Sequence, residues 1–185
     1  MAMKPKKLRD TLPTEWVKYI VVVIVAVALW SWVFGIYHMP KETEKIEVFF
    51  AGTLKDSSFD KEAEQAFDFL KLVETSATDP SLGATFEESY SAFVSSIADV
   101  VIVPESVADN TKCANAFAPL SEIGEPYLED GVRYGAYLSE EALTRLGKYF
   151  AFKTGERYVA FAALASVNSG KATDHSFLFI EWLVR

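Results

Sequence analysis

The feature that most limits this chain is an uncharged apolar run over residues 19–37, YIVVVIVAVALWSWVFGIY. As a helix rising 1.5 Å per residue it is about long enough to cross a hydrocarbon core of roughly 30 Å. Extending the run back to Trp16 adds only Lys18, whose stem can lie along lipid while its ammonium reaches the headgroups. Trp16 and Tyr19 stand at one end and Trp30, Trp32 and Tyr37 towards the other, where interfacial aromatic belts sit. A cleavable signal peptide has the same order of basic leader and apolar stretch, with Val33-Phe34-Gly35 as the nearest processing site, but its apolar core is usually shorter. Length therefore favours a retained transmembrane helix over residues 16–37. No cysteine lies near the end of the run to accept a lipid. The single Cys113 cannot form an intramolecular disulfide or supply a thiolate cluster, and it reads as a small buried residue.

Charge divides the chain at the same place. Residues 1–37 hold Lys4, Lys6, Lys7, Arg9 and Lys18 against Asp10 and Glu15, a net +3. Residues 38–185 hold 13 basic and 24 acidic residues, a net −11. By the positive-inside bias, residues 1–15 are expected to stay in the cytoplasm as a tail, with the C-terminal domain emerging on the far side of the cell membrane. An acidic domain lacks the clustered Lys and Arg that displace counterions from nucleic acid, which argues against DNA or RNA as partner. The same acidity argues against the domain as a whole lying on anionic lipid. Apolar and aromatic residues, 50% and 14% of the chain, are too plentiful for disorder.

After a short linker, residues 38–45, the sequence over 46–185 alternates strand and helix patterns. Residues 46–51, β-branched and aromatic, predict a strand closed by Gly52-Thr53. A helix is expected over 58–69, followed by a second strand over 69–74. Thr85-x-x-Glu88 offers a capping box, and Phe86, Tyr90, Phe93 and Ile97 then follow at helical spacing as one buried stripe. Residues 99–104, DVVIVP, form the clearest strand, and its lack of alternation predicts burial on both faces of a parallel sheet. A short helix is expected over 106–116, then loop-rich sequence, then a strand over 132–137. Ser139 is placed to cap a helix over 140–146 that stops at Gly147. Residues 149–152 and 158–165 flank Lys153-Thr154-Gly155-Glu156 as a hairpin would. Thr173 is expected to cap an apolar terminal helix over 174–184. The order indicates an α/β domain, with mixed α+β as the alternative, and roughly 145 residues suffice for one core.

Several segments, in order, resemble landmarks of the extracellular solute-binding proteins of bacterial ABC importers, the type II periplasmic binding proteins. They are Asp99-Val100-Val101-Ile102-Val103-Pro104-Glu105-Ser106, Phe117-Ala118-Pro119-Leu120-Ser121-Glu122-Ile123, Asp130-Gly131-Val132-Arg133-Tyr134-Gly135, Tyr158-Val159-Ala160-Phe161 with Ser166-x-Asn168, and Phe179-Ile180-Glu181-Trp182-Leu183. Each is short and apolar, and the shared order carries the resemblance across residues 46–183. It implies an α/β lobe of the kind that, in the family, pairs with a second lobe across a ligand cleft that closes by hinge motion. Here only about 20 residues separate Gly135 from Tyr158, where the family inserts the second lobe, so a reduced, membrane-anchored, one-lobe form is expected. Ligand contacts then belong beyond the carboxyl ends of the parallel strands, at Gly52, Thr53, Glu105, Ser106, Ser166 and Asn168. The bland alternative for these residues is turn and cap chemistry.

Signs of catalysis are lacking in the sequence. His38 and His175 stand alone, Cys113 has no nearby histidine, and neither GxxxxGK[ST] nor GxGxxG occurs. Glu87-Glu88, Glu129-Asp130 and Glu140-Glu141 are adjacent pairs that point apart on a helix. No enzyme activity, cofactor or metal is expected. Two expectations follow: an interaction subunit working against another membrane or exported protein, or a tethered module that delivers a small solute to a transporter.

Overall fold

The computed structural model describes residues 8–185, so Lys4, Lys6 and Lys7 of the basic tail lie outside the described residues. The chain divides into two compact units, Met1–Met39 and Pro40–Arg185. In the first, α1 (Leu8–His38) contains the window Trp16–Gly35, which is long and apolar enough to cross a membrane, a property anchors share with signal sequences.

The second unit is α/β. It runs β1 (Lys45–Ala51), β2 (Thr53–Leu54), α2 (Ser58–Ala66), β3 (Leu72–Thr78), α3 (Ala84–Ala92), β4 (Val100–Pro104), α4 (Glu105–Ala108) and α5 (Cys113–Ala116). It continues with β5 (Glu125–Glu129), β6 (Val132–Tyr137), α6 (Glu140–Leu146), β7 (Phe150–Ala151), β8 (Tyr158–Ala162) and α7 (His175–Val184). Six strands form one sheet in the order β3-β1-β4-β8-β6-β5, and β2 pairs with β7 separately. β3, β1 and β4 are parallel, β8 runs antiparallel to both β4 and β6, and β5 and β6 form an antiparallel hairpin.

Alternation along β1 divides the core. Ile46, Val48 and Phe50 face a layer built from α2, α6 and α7, in which Phe59, Leu146, Phe179 and Leu183 are buried. Phe49 and Ala51 face the opposite layer with Phe86, Val94, Ala108, Cys113 and Phe117. The Phe49 ring lies 6.3, 5.9 and 5.1 Å from those of Phe86, Tyr90 and Phe93. Burying one such phenylalanine stabilises the fold by about 1.5–3 kcal/mol. The crossover from β1 to β3 through α2 and the return from β3 to β4 through α3 run in opposite directions. Right-handed connections must then put the two helices on opposite faces, as they are.

The structure corrects several local expectations. α2 stops at Ala66 because Phe67 turns extended, at φ −136° and ψ 121°, and its ring packs 5.8 Å from Phe179. The second strand is displaced to Leu72–Thr78. Gly83, not Thr85, precedes α3, so the proposed capping box does not form. Ile97 leaves the aromatic stripe and is 43% exposed, because Phe93–Ile97 is a π-helical turn that shifts the helical phase and buries Val94 instead. The expected helix over 106–116 is two short ones, α4 and α5. β7 pairs with β2 and β8 enters the main sheet, so residues 149–165 are not a hairpin. The hairpin is β5–β6, turned by Asp130 and Gly131 at φ 52° and 78°. Ser139 caps α6 as expected, its Oγ accepting the Ala142 N–H at 3.0 Å. Thr173 does not cap α7, and its hydroxyl donates to Asn168 Oδ1 at 2.8 Å.

Candidate functional site

The chain leaves β1 towards β3 on one side and returns to β4 on the other. The carboxyl ends of β1 and β4 therefore flank the switch point of the sheet, where open α/β sheets place ligands. A crevice of about 500 Å³ lies there. Its apolar floor is Ala51, Pro104, Phe152 and Tyr158. Its rim comes from Gly52 and Thr53 after β1, Asp79 and Ser81 after β3, Ser106 in α4, and Lys153 and Glu156 between β7 and β8.

Gly52 is required by close approach. A Cβ there would lie 2.5 Å from Cε1 of the Phe50 ring, while the Gly52 N–H donates to the Thr78 carbonyl at 3.0 Å. The rim is cross-braced by polar contacts. Ser106 Oγ donates to Glu156, and Lys153 Nζ lies 3.3 Å from Glu156 Oε2. Asp79 Oδ1 accepts the Ser81 N–H at 2.8 Å. Chiefly that backbone bond, with help from the Ser81 and Thr53 hydroxyls and the Lys153 charge, holds the Asp79 carboxyl below the usual carboxylate range. Tyr158, on the floor, accepts the Lys153 N–H at 3.0 Å, and burial pushes its phenol up.

Of the residues expected from sequence, Gly52, Thr53 and Ser106 line this crevice. Glu105 stands beside it but turns away, its carboxylate accepting from Tyr137. Desolvation, with that carboxylate next, pushes the Tyr137 phenol up to about 12. The Arg157 guanidinium covers the Tyr137 ring at 3.5 Å and pairs with Glu125 at 2.6 Å. Asp79, Lys153, Glu156 and Tyr158 were missed. The signal was Asp79-Pro80-Ser81, which reads as a mere chain break until β3 is extended to Thr78 and its carboxyl end falls beside it.

Ser166 and Asn168 are at the opposite end of the sheet. Because β8 is antiparallel, its carboxyl end lies with the amino ends of β1 and β4. There Asn168, 1% exposed, donates through Nδ2 to the carbonyls of Glu42 at 3.0 Å and Lys45 at 2.9 Å, and to Asp99 Oδ1 at 3.1 Å. Ser166 Oγ donates to the same Asp99 oxygen and accepts the Asn168 N–H at 2.9 Å, and Asp99 Oδ2 accepts the Glu47 N–H at 2.7 Å. Desolvation raises the Asp99 carboxyl above its ordinary range, and these bonds only partly oppose it. The network ties the segment that enters the domain, residues 42–47, to the loop before α7. His175 Nδ1 adds a contact to the Thr43 carbonyl at 2.8 Å, and its ring stacks 3.9 Å from Phe69.

Cys113 is fully buried, and burial first, then the Glu129 carboxylate, pushes its thiol up to about 12. Among the described residues no group of three or more His, Cys, Asp or Glu side chains could hold a metal ion. Compared with known proteins, the chain matches no family model, no curated protein and no solved structure.

Proposed function

We propose that this chain is a non-enzymatic, membrane-anchored accessory subunit whose extracytoplasmic domain, a reduced lobe of solute-binding-protein type, engages another protein through the crevice at the strand ends. The observation that carries this reading is the path between β6 and β8. Residues 138–157 fold back as α6 and β7 onto the same core, with Ala142, Leu146 and Phe150 buried in it. The crevice is thus a braced, one-sided shelf. Small-molecule sites generally enclose about 70–90% of their ligand, and a shelf suits an extended protein segment better. The apolar window Trp16–Gly35 supports the anchor, and the basic residues before it support an N-terminus left in the cytoplasm.

A photo-crosslinking amino acid at Ser81 or Ser106 of the full chain, in its native membrane, tests this. The expected result is one discrete adduct from both positions, lost when Gly52→Ala perturbs the crevice and absent when the probe is at Thr144 on α6. No adduct, together with thermal stabilisation by an amino-acid, sugar or peptide library, refutes it. That outcome would establish the second reading, a tethered module that delivers a small solute to an ABC-type transporter. The crevice volume of about 500 Å³ and its mixed rim of Asp79, Lys153, Glu156 and hydroxyls favour that reading.

A further inference from the structure

A second concavity begins where the crevice ends. Pro80 lines both the crevice and a cavity of about 580 Å³ that also takes in Phe86 and Val107. That cavity shares Tyr90, Asn110 and Thr111 with a third, of about 610 Å³, which reaches Leu164 and Lys171. The three therefore form one path. Beyond Pro80 the path is a trough, with α3 as one wall and residues 107–116, which carry the end of α4 and all of α5, as the other.

Helical spacing builds the first wall, since Phe86, Glu87, Tyr90, Ser91, Val94 and Ser95 recur on one side of α3 and its continuation. A single brace joins the two walls. Thr111 Oγ1 donates to the Val107 carbonyl at 3.1 Å, so the Tyr90 hydroxyl is the donor in its 3.0 Å contact with Thr111. From Gly83 to Ser95 the trough runs roughly 18 Å at about 1.5 Å per helical residue. An extended polypeptide at about 3.3 Å per residue covers that in about five or six residues.

The lining chemistry selects the occupant. The crevice end is acidic, with Asp79, Glu156 and Glu87 against Lys153. At the far end Lys112 and Lys171 are the only charged groups in the lining, and neither joins an ion pair among the described residues. Lys171 Nζ donates to the Ala165 carbonyl at 3.1 Å. The carboxylates around that end lie outside the trough. Asp109 accepts from the Tyr127 hydroxyl at 2.9 Å, Glu129 accepts the Cys113 N–H at 2.8 Å, and Asp174 lines a separate groove with Glu122 and Glu181. Glu88, about 100° further round α3 than Glu87, is exposed and lines neither cavity.

Between the two charged ends stand carboxamides. Asn110 Nδ2 gives one proton to the Ser106 carbonyl at 2.8 Å, which leaves its Oδ1 and second proton uncommitted. Asn115 lines the same stretch and is exposed. A carboxamide matches one peptide unit, its N–H meeting a carbonyl and its oxygen meeting an N–H. A helical partner has already paired those groups, whereas an extended one leaves them free.

We propose that the protein segment engaged by the crevice continues over Pro80 into this trough as an extended chain, its peptide units on Asn110 and Asn115 and its acidic side chains at Lys112 and Lys171. This rests on the reading of the crevice as a protein-binding site and adds the conformation, direction and charge of what it binds.

The test uses the full chain in its native membrane with a photo-crosslinking amino acid at Ser95 in the trough, at Ser106 in the crevice, or at Glu88 on the outer side of α3. Ser95 and Ser106 should give adducts with the same partner. Mass spectrometry should place the two joined residues on one stretch, about five to ten residues apart, with carboxylates at the Ser95 end. Glu88 should give no adduct. Lys112→Glu with Lys171→Glu should lower the Ser95 adduct at least about fivefold more than the Ser106 adduct, and Lys112→Arg with Lys171→Arg should keep both. A Ser106 adduct with none at Ser95 overturns the trough and leaves the crevice reading standing. So does a Ser95 adduct that joins a different protein, a lipid or a second copy of this chain, or one indifferent to the charge reversal. Absence of the Ser106 adduct overturns the crevice reading itself, and this inference with it.

Discussion

Asn168→Ala tests the network that holds the entering segment to the domain. The side chain is 1% exposed and makes three donor contacts through Nδ2 and one acceptor contact through Oδ1. Two Nδ2 protons share three acceptors, so the donor side counts as about two full hydrogen bonds. With the Thr173 contact, and about 1 kcal/mol net for each bond, the loss is about 3 kcal/mol. Asp99 keeps the Ser166 hydroxyl and the Glu47 N–H, so its carboxylate is not stranded and no larger penalty is added. At about 2–4 °C per kcal/mol for a domain of this size, the melting temperature should fall by roughly 6–12 °C. Near-UV circular dichroism of the full chain in detergent reads the melt. Amide hydrogen exchange locates the effect, with protection lost over residues 42–47 and 166–176 before it is lost in β4. A fall below about 2 °C, or uniform loss of protection with no preference for those segments, would refute the view that Asn168 pins the entry segment.

Other expectations follow from single contacts. Burial raises the Asp99 carboxyl in the folded state, so the group favours folding below its ordinary value of 3.8, and that contribution is lost as pH rises through the raised value. Urea midpoints for Asp99→Asn and the parent chain should therefore shift in favour of the asparagine variant between pH 4 and pH 8; a shift the other way contradicts the burial argument. At Gly135 a Cβ would meet Phe161 Cε1 and Val159 Cγ1, each at 2.7 Å, so Gly135→Ala should cost about 1–3 kcal/mol in chemical denaturation. Gly131→Ala, at φ 78° with open space around it, should cost about 1 kcal/mol through backbone strain alone. A colorimetric thiol reagent should leave native Cys113 unmodified and react fully in denaturant, since the thiol is buried and pushed up to about 12.

What could be read in advance was local. Residues 100–104, VVIVP, are apolar throughout because both faces of β4 are covered, and Ser139 caps α6 through a bond spanning three residues. Strand direction was not legible. β8 is as fully buried as β4, and a central strand buried on both faces looks the same whether its neighbours are parallel or antiparallel. That one ambiguity sent Ser166 and Asn168 to the wrong end of the sheet, while the hairpin expected over residues 149–165 failed on partner choice, β7 pairing with β2 and not with β8. The true hairpin carried an Asp130-Gly131 turn signal, but Pro126 and the terminal glutamates Glu125 and Glu129 of β5 obscured its strand. The phase slip at Phe93–Ile97 follows from packing Val94 against the sheet, which helical spacing alone does not register. Three of the six candidate site residues line the crevice because Gly52-Thr53 and Ser106 follow two strands, β1 and β4, that local pattern did reveal. Lys153 and Glu156 arrive from a loop whose position depends on β7 pairing with β2.

The position of β8 also sets the order in which the domain can be completed. β1, β3 and β4 are made first and can pair with one another, and β5 and β6 can close as a hairpin, but the two groups share no ladder until residues 158–162 arrive between them. Until then Val100–Val103 present an unpaired, wholly apolar strand edge, the kind that templates association between chains. A chain stalled or truncated before Tyr158 should accumulate as aggregate rather than as a smaller folded domain, and its productive folding should begin only when the last of the six strands emerges.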